Sequence, residues 1–193
     1  MINIDSAPSP RLVGLRVVQR SNFMSATATD VSHQQLIDLC VADLRSSQAR
    51  VLETFKFIPD DKLTWSPAPQ AKSGLRLMAH LAVSNSGISQ LLEGGSLPIS
   101  NFEELERFVA EQERQITTRE QAVEAFNQSC DAYERAIRQV PEGDRDKLLG
   151  VGELQAPASF YMRLAGIHHH SHASQIDYLQ TCWGDLIPHF PHS

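Results

Sequence analysis

From Ser32 onward the apolar residues of this chain recur at helical intervals. In SHQQLIDLCVADLRSSQARVLETFKFI, a Ser-x-x-Gln capping box precedes Leu36, Leu39, Cys40, Leu44, Val51, Leu52 and Phe55, which predicts a helix that Pro59 ends. The connector PDDKLTWSPAPQAKSG is too rich in proline for a helix, and its Trp65 is expected to plug a core. A second helix should run from about Leu75 to Glu93, with Ser73 as its cap and Gly94-Gly95 as its stop. NFEELERFVAEQERQI reads as a shorter helix whose charged run, EELERFVAEQER, is a solvated face. TTREQAVEAFNQSCDAYERAIRQV follows, opened by a capping box from Thr117 to Glu120 and closed by Pro141; the two segments read equally as two helices or one kinked helix. After the loop PEGDRDKLLGVGELQAP, a last long helix should span about Ala158 to Trp183, with Gly184 as its C-cap. No segment alternates as a strand does. The pattern predicts an all-α fold, a four-helix bundle with long cross-connections.

Residues 1–29 break this pattern. They mix Pro, Ser, Thr and Arg without periodicity, which predicts a flexible leader ahead of a bundle domain over residues 30–193, and Met24 is a natural alternative start. With 193 residues, 41% of them hydrophobic, the chain is long enough for one good core. Its net charge of -6 and the lack of any Lys/Arg run argue against nucleic acid and leave small molecules or proteins as partners. Three widely spaced cysteines form no CxxC pair, and Cys182, on the inner face of the last helix, is expected in the core. No stretch reaches the ~20 apolar residues of a membrane span, nor does an apolar signal core appear near the start. These features predict a cytoplasmic protein.

GIHHHSHASQIDYL then changes the picture, because it holds four of the eight histidines. At ~100° per residue, a face centred on His168 takes in Tyr161, Leu164, Ala165, His172, Gln175, Ile176, Leu179 and Trp183. This is the expected buried face, with His169 at its margin and His170 opposite it. His168 and His172 stand one turn apart, a spacing at which two imidazoles can share a metal ion. A third ligand must come from another helix, and His80 lies on the apolar face of the second; His33, His189 and His192 are weaker candidates. Spacing leaves two readings open: a metal site, or core histidines held by hydrogen bonds. Gln175 could bond a ligand imidazole, and Tyr161 could line a cavity or anchor in the core.

The segments MAHLAVSN and HHHSHASQIDYL, with LTWSPAPQAKSGLRLMAHLA ahead of the second helix, resemble the DinB-like family of metal-binding four-helix bundles over about residues 32–183. The match is to an "HLA" histidine and to a later "HxxxHxxQ" signature. It implies His80, His168 and His172 as a metal triad with Gln175 at the signature glutamine. Ala173-Ser174 replaces an Arg-Gly common in the family, and Asn85 stands where an acidic residue is frequent. The resemblance further implies a divalent ion, Zn²⁺ or Ni²⁺, a homodimer, and an enzyme that activates a low-molecular-weight thiol against an electrophilic small molecule. Phe102, Phe108 and Phe126 are the apolar positions expected to be left over for a dimer contact. Two alternatives stand beside it: a metal-dependent hydrolase, and a metal- or ligand-binding stress-associated protein without turnover. No catalytic residue is assigned.

Overall fold

A computed structural model describes residues 31–97, 99–152 and 154–191. The expected leader and His192 lie outside them. Among the described residues there are five helices, α1 (His33–Lys56), α2 (Gly74–Leu92), α3 (Phe102–Glu113), α4 (Arg119–Gln139) and α5 (Ala158–Cys182), with short helical turns at Asp60–Lys62 and Glu142–Asp144. The four long helices form the bundle, α2 packing on α4 and α1 on α5, while α3 lies against α2 outside the main core. Among the described residues no helix is long and apolar enough to cross a membrane.

The helix ends follow from their residues. Ser32 and Gln35 form the capping box of α1, Ser73 accepts from the Arg76 amide at the start of α2, and Gly94 (φ 81°) and Gly184 (φ 93°) supply the left-handed turns after α2 and α5. The expected Thr117–Glu120 box is displaced by one residue: Thr118 caps α4 with Gln121. Both threonines have a side chain with an acceptor oxygen three positions on, so pattern alone does not separate them.

Buried positions on α4, Ala122, Phe126, Ser129, Cys130, Tyr133 and Ile137, keep one helical stripe and meet Leu44, Val51 and Phe55 of α1 and Leu75, Met78 and Leu81 of α2 in the core. Phe126 is therefore core and unavailable for a contact between copies. Trp65 half-fulfils its role as plug, packing edge-on against Trp183 with ring centroids 5.5 Å apart. Cys182 is exposed, contrary to the inner-face expectation, whereas Cys40 and Cys130 are buried.

A strand pair also appears where none was expected. β1 (Leu148–Val151) and β2 (Leu154–Pro157) form an antiparallel hairpin with Val151 opposite Leu154. It depends on Gly150, at φ 141°, where a Cβ would come within 1.9 Å of the Leu154 carbonyl oxygen. Four residues per strand with no consistent alternation leave too little pattern to read.

The rotation of α5 differs from the expected one as well. Its buried stripe runs through Met162, Ala165, Gly166, His169, Ala173, Ile176 and Gln180, so His169 is fully buried while His168 and His172 stand half-buried at the stripe's edge. Contacts with α1 set this rotation. Thr54 Oγ1 donates to Asp177 at 2.6 Å, Gln180 Nε2 donates to the Thr54 carbonyl at 3.0 Å, and Arg50 pairs with Asp177.

Candidate metal centre

His80 comes from the middle of α2, and His168 and His172 come from successive turns of α5. The packing of α2 on α5 brings the three together. His168 Nε2 lies 3.2 Å from His80 Nε2 and 2.9 Å from His172 Nε2, and the facing nitrogens of all three lie within 4.8 Å of one another. The outer nitrogens explain this inward aim. His80 Nδ1 donates to Glu113 Oε1 at 2.8 Å, and His172 Nδ1 donates to Gln175 Oε1 at 2.7 Å. A carboxylate and an amide oxygen can only accept, so in the neutral rings both protons sit on Nδ1 and both Nε2 atoms present lone pairs. His168 Nε2 could satisfy at most one of them by donating.

That donor set fits a divalent cation. Two ligand nitrogens ~2.0–2.1 Å from one tetrahedral ion stand about 3.3 Å apart, close to the 3.2 and 2.9 Å observed here. Burial also favours the neutral, ligating form. It pushes the His168 pKa down to about 3, with His172 and His80 adding to the effect, and it lowers His172 against the opposing bond to Gln175. His168 Nδ1 is buried without a hydrogen-bond partner.

Glu113 was hidden in a run read as a solvated face. It is 3% exposed, and Lys72 Nζ donates to its two oxygens at 2.7 and 2.6 Å. Arg76 donates to its main-chain carbonyl, tying the end of α3 to α2. Burial would raise its pKa, but the bonds from His80 and Lys72 prevail and hold it below the ordinary carboxylate value. A signal for it exists in the sequence: Leu105, Phe108, Val109 and Glu113 form one stripe at helical spacing, and the acid ends it.

The remaining histidines have other duties. His169, fully buried, donates from Nε2 to Asn85 Oδ1 at 3.1 Å, and its Nδ1 lies 3.0 Å from Ser47 Oγ. Ser-His-Asn resembles a hydrolytic set, yet all three residues are 0% exposed, so no substrate reaches them. His33 Nε2 bonds the Val140 carbonyl at 2.8 Å. His189 bonds Asp185 and stacks on Phe57, and His170 is exposed.

His80, His168 and Glu113 stand on the wall of a cavity of about 700 Å³ between α2, α3, the hairpin and the first half of α5, and Tyr161 lines it too. This is the size of ordinary small-molecule sites. Phe102 and Phe108, expected at a contact between copies, also line it.

Comparison with known proteins bears on both fold and family. No protein of curated function matches the sequence. Among solved structures, a mycothiol-dependent maleylpyruvate isomerase superposes with a TM-score of 0.60 at 13% identity, over 72% of this chain and 60% of that one. The present chain thus spans about 60% of that isomerase's length. A DinB-like protein from Bacillus cereus ATCC 10987 superposes with a TM-score of 0.55 at 14% identity, over 78% and 92% of the two chains. At these identities the likeness is one of fold. The family assignment comes from the DinB superfamily model, which matches residues 43–176 and so covers both histidine motifs and most of the bundle: the chain belongs to the DinB superfamily.

Proposed function

We propose that this protein is a metal-dependent enzyme that transfers a low-molecular-weight thiol to an electrophilic small molecule, with His80, His168 and His172 as ligands of one divalent ion. The observation that carries this reading is the convergence of three imidazole nitrogens, two with their protons fixed on the far side, with two of the rings, His80 and His168, on the wall of a cavity of small-molecule size. The mycothiol dependence named for a protein of similar fold agrees with it. An ion held by neutral imidazoles keeps its full charge and lowers the pKa of a bound thiol into the neutral range. The chain's residues hold and orient. Glu113 and Gln175 fix the His80 and His172 rings, α5 sets His168 between them, and Tyr161 shapes the cavity.

The test uses tag-free, full-length protein loaded with Zn²⁺ or Ni²⁺. Bound metal is measured by elemental analysis, and loss of free thiol is followed with a panel of electrophiles, with and without chelator. About one equivalent of metal and a thiol consumption abolished by chelator are expected. Absence of bound metal would overturn the site. Bound metal with chelator-sensitive ester hydrolysis instead of thiol consumption would make the protein a hydrolase, and metal without turnover would make it a binding protein.

A further inference from the structure

The cavity extends far beyond the histidines, and its walls have a consistent chemistry. It follows α2 from His80 to Leu91 and α3 from Glu113 back to Phe102. Each run of twelve residues, eleven steps, spans about 16 Å at 1.5 Å per residue. Val83, Ile88 and Leu91 line it from α2, Leu105, Phe108 and Val109 from α3, and Val151 and Leu154 from the hairpin. Charge is confined to the histidine end and the rim. Lys72 is already bonded to both oxygens of Glu113, and the other carboxylate, Glu106, is exposed. No further cation lines the cavity among the described residues. Beyond the histidine end an anionic group would therefore give up its hydration without gaining a counter-ion, which is costly, whereas an uncharged apolar ligand would gain from every methylene it buries.

We infer that this cavity takes an uncharged, elongated, apolar substrate, aligned along α2 and α3 with its reacting end at His80 and His168. The inference rests on the proposed function only for which end reacts; the binding preference follows from the walls. Gly87 offers a direct probe. It lies on α2 seven residues beyond His80, about 10 Å along the helix, and lines the cavity. A Cβ there would meet only the end of the Leu97 side chain, at 3.7 Å. A leucine at this position suits the helix and projects into the cavity without displacing backbone.

The experiment uses the full chain with Nile red bound, displaced by alkanols from butanol to decanol and by the matching alkanoates, in parallel samples stripped of metal and loaded with Zn²⁺. Alkanol affinity should rise about fourfold per methylene, and in the metal-free protein each alkanoate should bind at least about tenfold more weakly than its alkanol. Gly87→Leu should weaken decanol by about tenfold or more and leave butanol and Zn²⁺ binding unchanged. A flat alkanol series, or alkanoates that match alkanols in the metal-free protein, would overturn the inference. So would a Gly87→Leu variant that binds decanol like the wild type, since the series would then report another surface. A normal alkanol series in a protein that binds no Zn²⁺ would overturn the proposed metal function and uphold the apolar site.

Discussion

Replacing Glu113 by glutamine tests whether this residue positions His80 for a metal ion. The change keeps size and one acceptor oxygen, and removes the charge. Glu113 accepts one bond from His80 and two from Lys72. A hydrogen bond to a charged group contributes about 1.5–3 kcal/mol and a neutral one about 0.5–1.5 kcal/mol. The His80 bond should thus weaken by about 1–1.5 kcal/mol, or roughly fivefold to tenfold in an equilibrium constant. Loss of the carboxylate also loosens the orientation of the imidazole, which brings the expected loss of Zn²⁺ affinity to about 10–100-fold, as for other outer partners of ligating histidines. Stability should fall less than the ~3–5 kcal/mol of a fully buried broken pair, because the Lys72 side chain is 38% exposed and can turn to water. Competition with a chromogenic chelator measures affinity, and urea unfolding measures the fold. Affinity within twofold of the wild type would refute the positioning role, and complete loss of binding by a folded variant would make Glu113 a ligand itself. Lys72→Met, which removes a positive charge from the same cluster, should not weaken Zn²⁺ binding.

Other expectations concern separate parts of the molecule. His168→Ala should lower Zn²⁺ affinity beyond the ~100-fold of an outer-partner change, whereas His170→Ala, at an exposed position, should leave it unaltered in the same assay. His169→Ala should cost about 3–5 kcal/mol in urea unfolding, because it empties a buried site and leaves the Asn85 Oδ1 acceptor without its donor, while Ser47 keeps only its bond to the Leu44 carbonyl; a cost below about 1 kcal/mol would contradict the network described. Gly150→Ala should open the hairpin, read as faster amide exchange over residues 148–157 with the bundle helices unchanged. We further expect a homodimer with each metal site inside one protomer: light scattering should give twice the monomer mass, and mixed His80→Ala and His168→Ala chains should not regain thiol transfer.

Features coded by neighbouring residues were the legible ones. Ser32, Ser73, Gly94 and Gly184 mark helix ends through local hydrogen bonding and backbone freedom, and they read directly. The meeting of His80 with His168 and His172 was readable because each histidine lies on an apolar helix face, although the rotation of α5 was not. His168 seemed central to the buried stripe, yet side-chain bonds from Arg50, Thr54 and Gln180 across to the neighbouring helix turn the inner edge to His169. Such bonds join positions more than a hundred residues apart and leave no periodic trace. Glu113 escaped for a related reason: within a charged run, only the partners brought by α2 distinguish a buried carboxylate from a solvated one.

The separation of the proposed ligands along the chain sets when a metal centre could exist. His80 and His168 are 88 residues apart, and at ~5–20 residues per second of synthesis that gap lasts about 4–18 s. During it, His80 has only Glu113 to face, and a single imidazole holds a divalent ion poorly. On the proposed function, metal capture would therefore wait until α5 has been made and docked on α1 and α2. An ion that bound only the completed bundle, as the proposed function requires, would at a free concentration of 100 times its Kd add about 2.7 kcal/mol against unfolding. On the proposed function, available metal would act on the last step of maturation, and a cell short of it would accumulate finished but more easily unfolded chains.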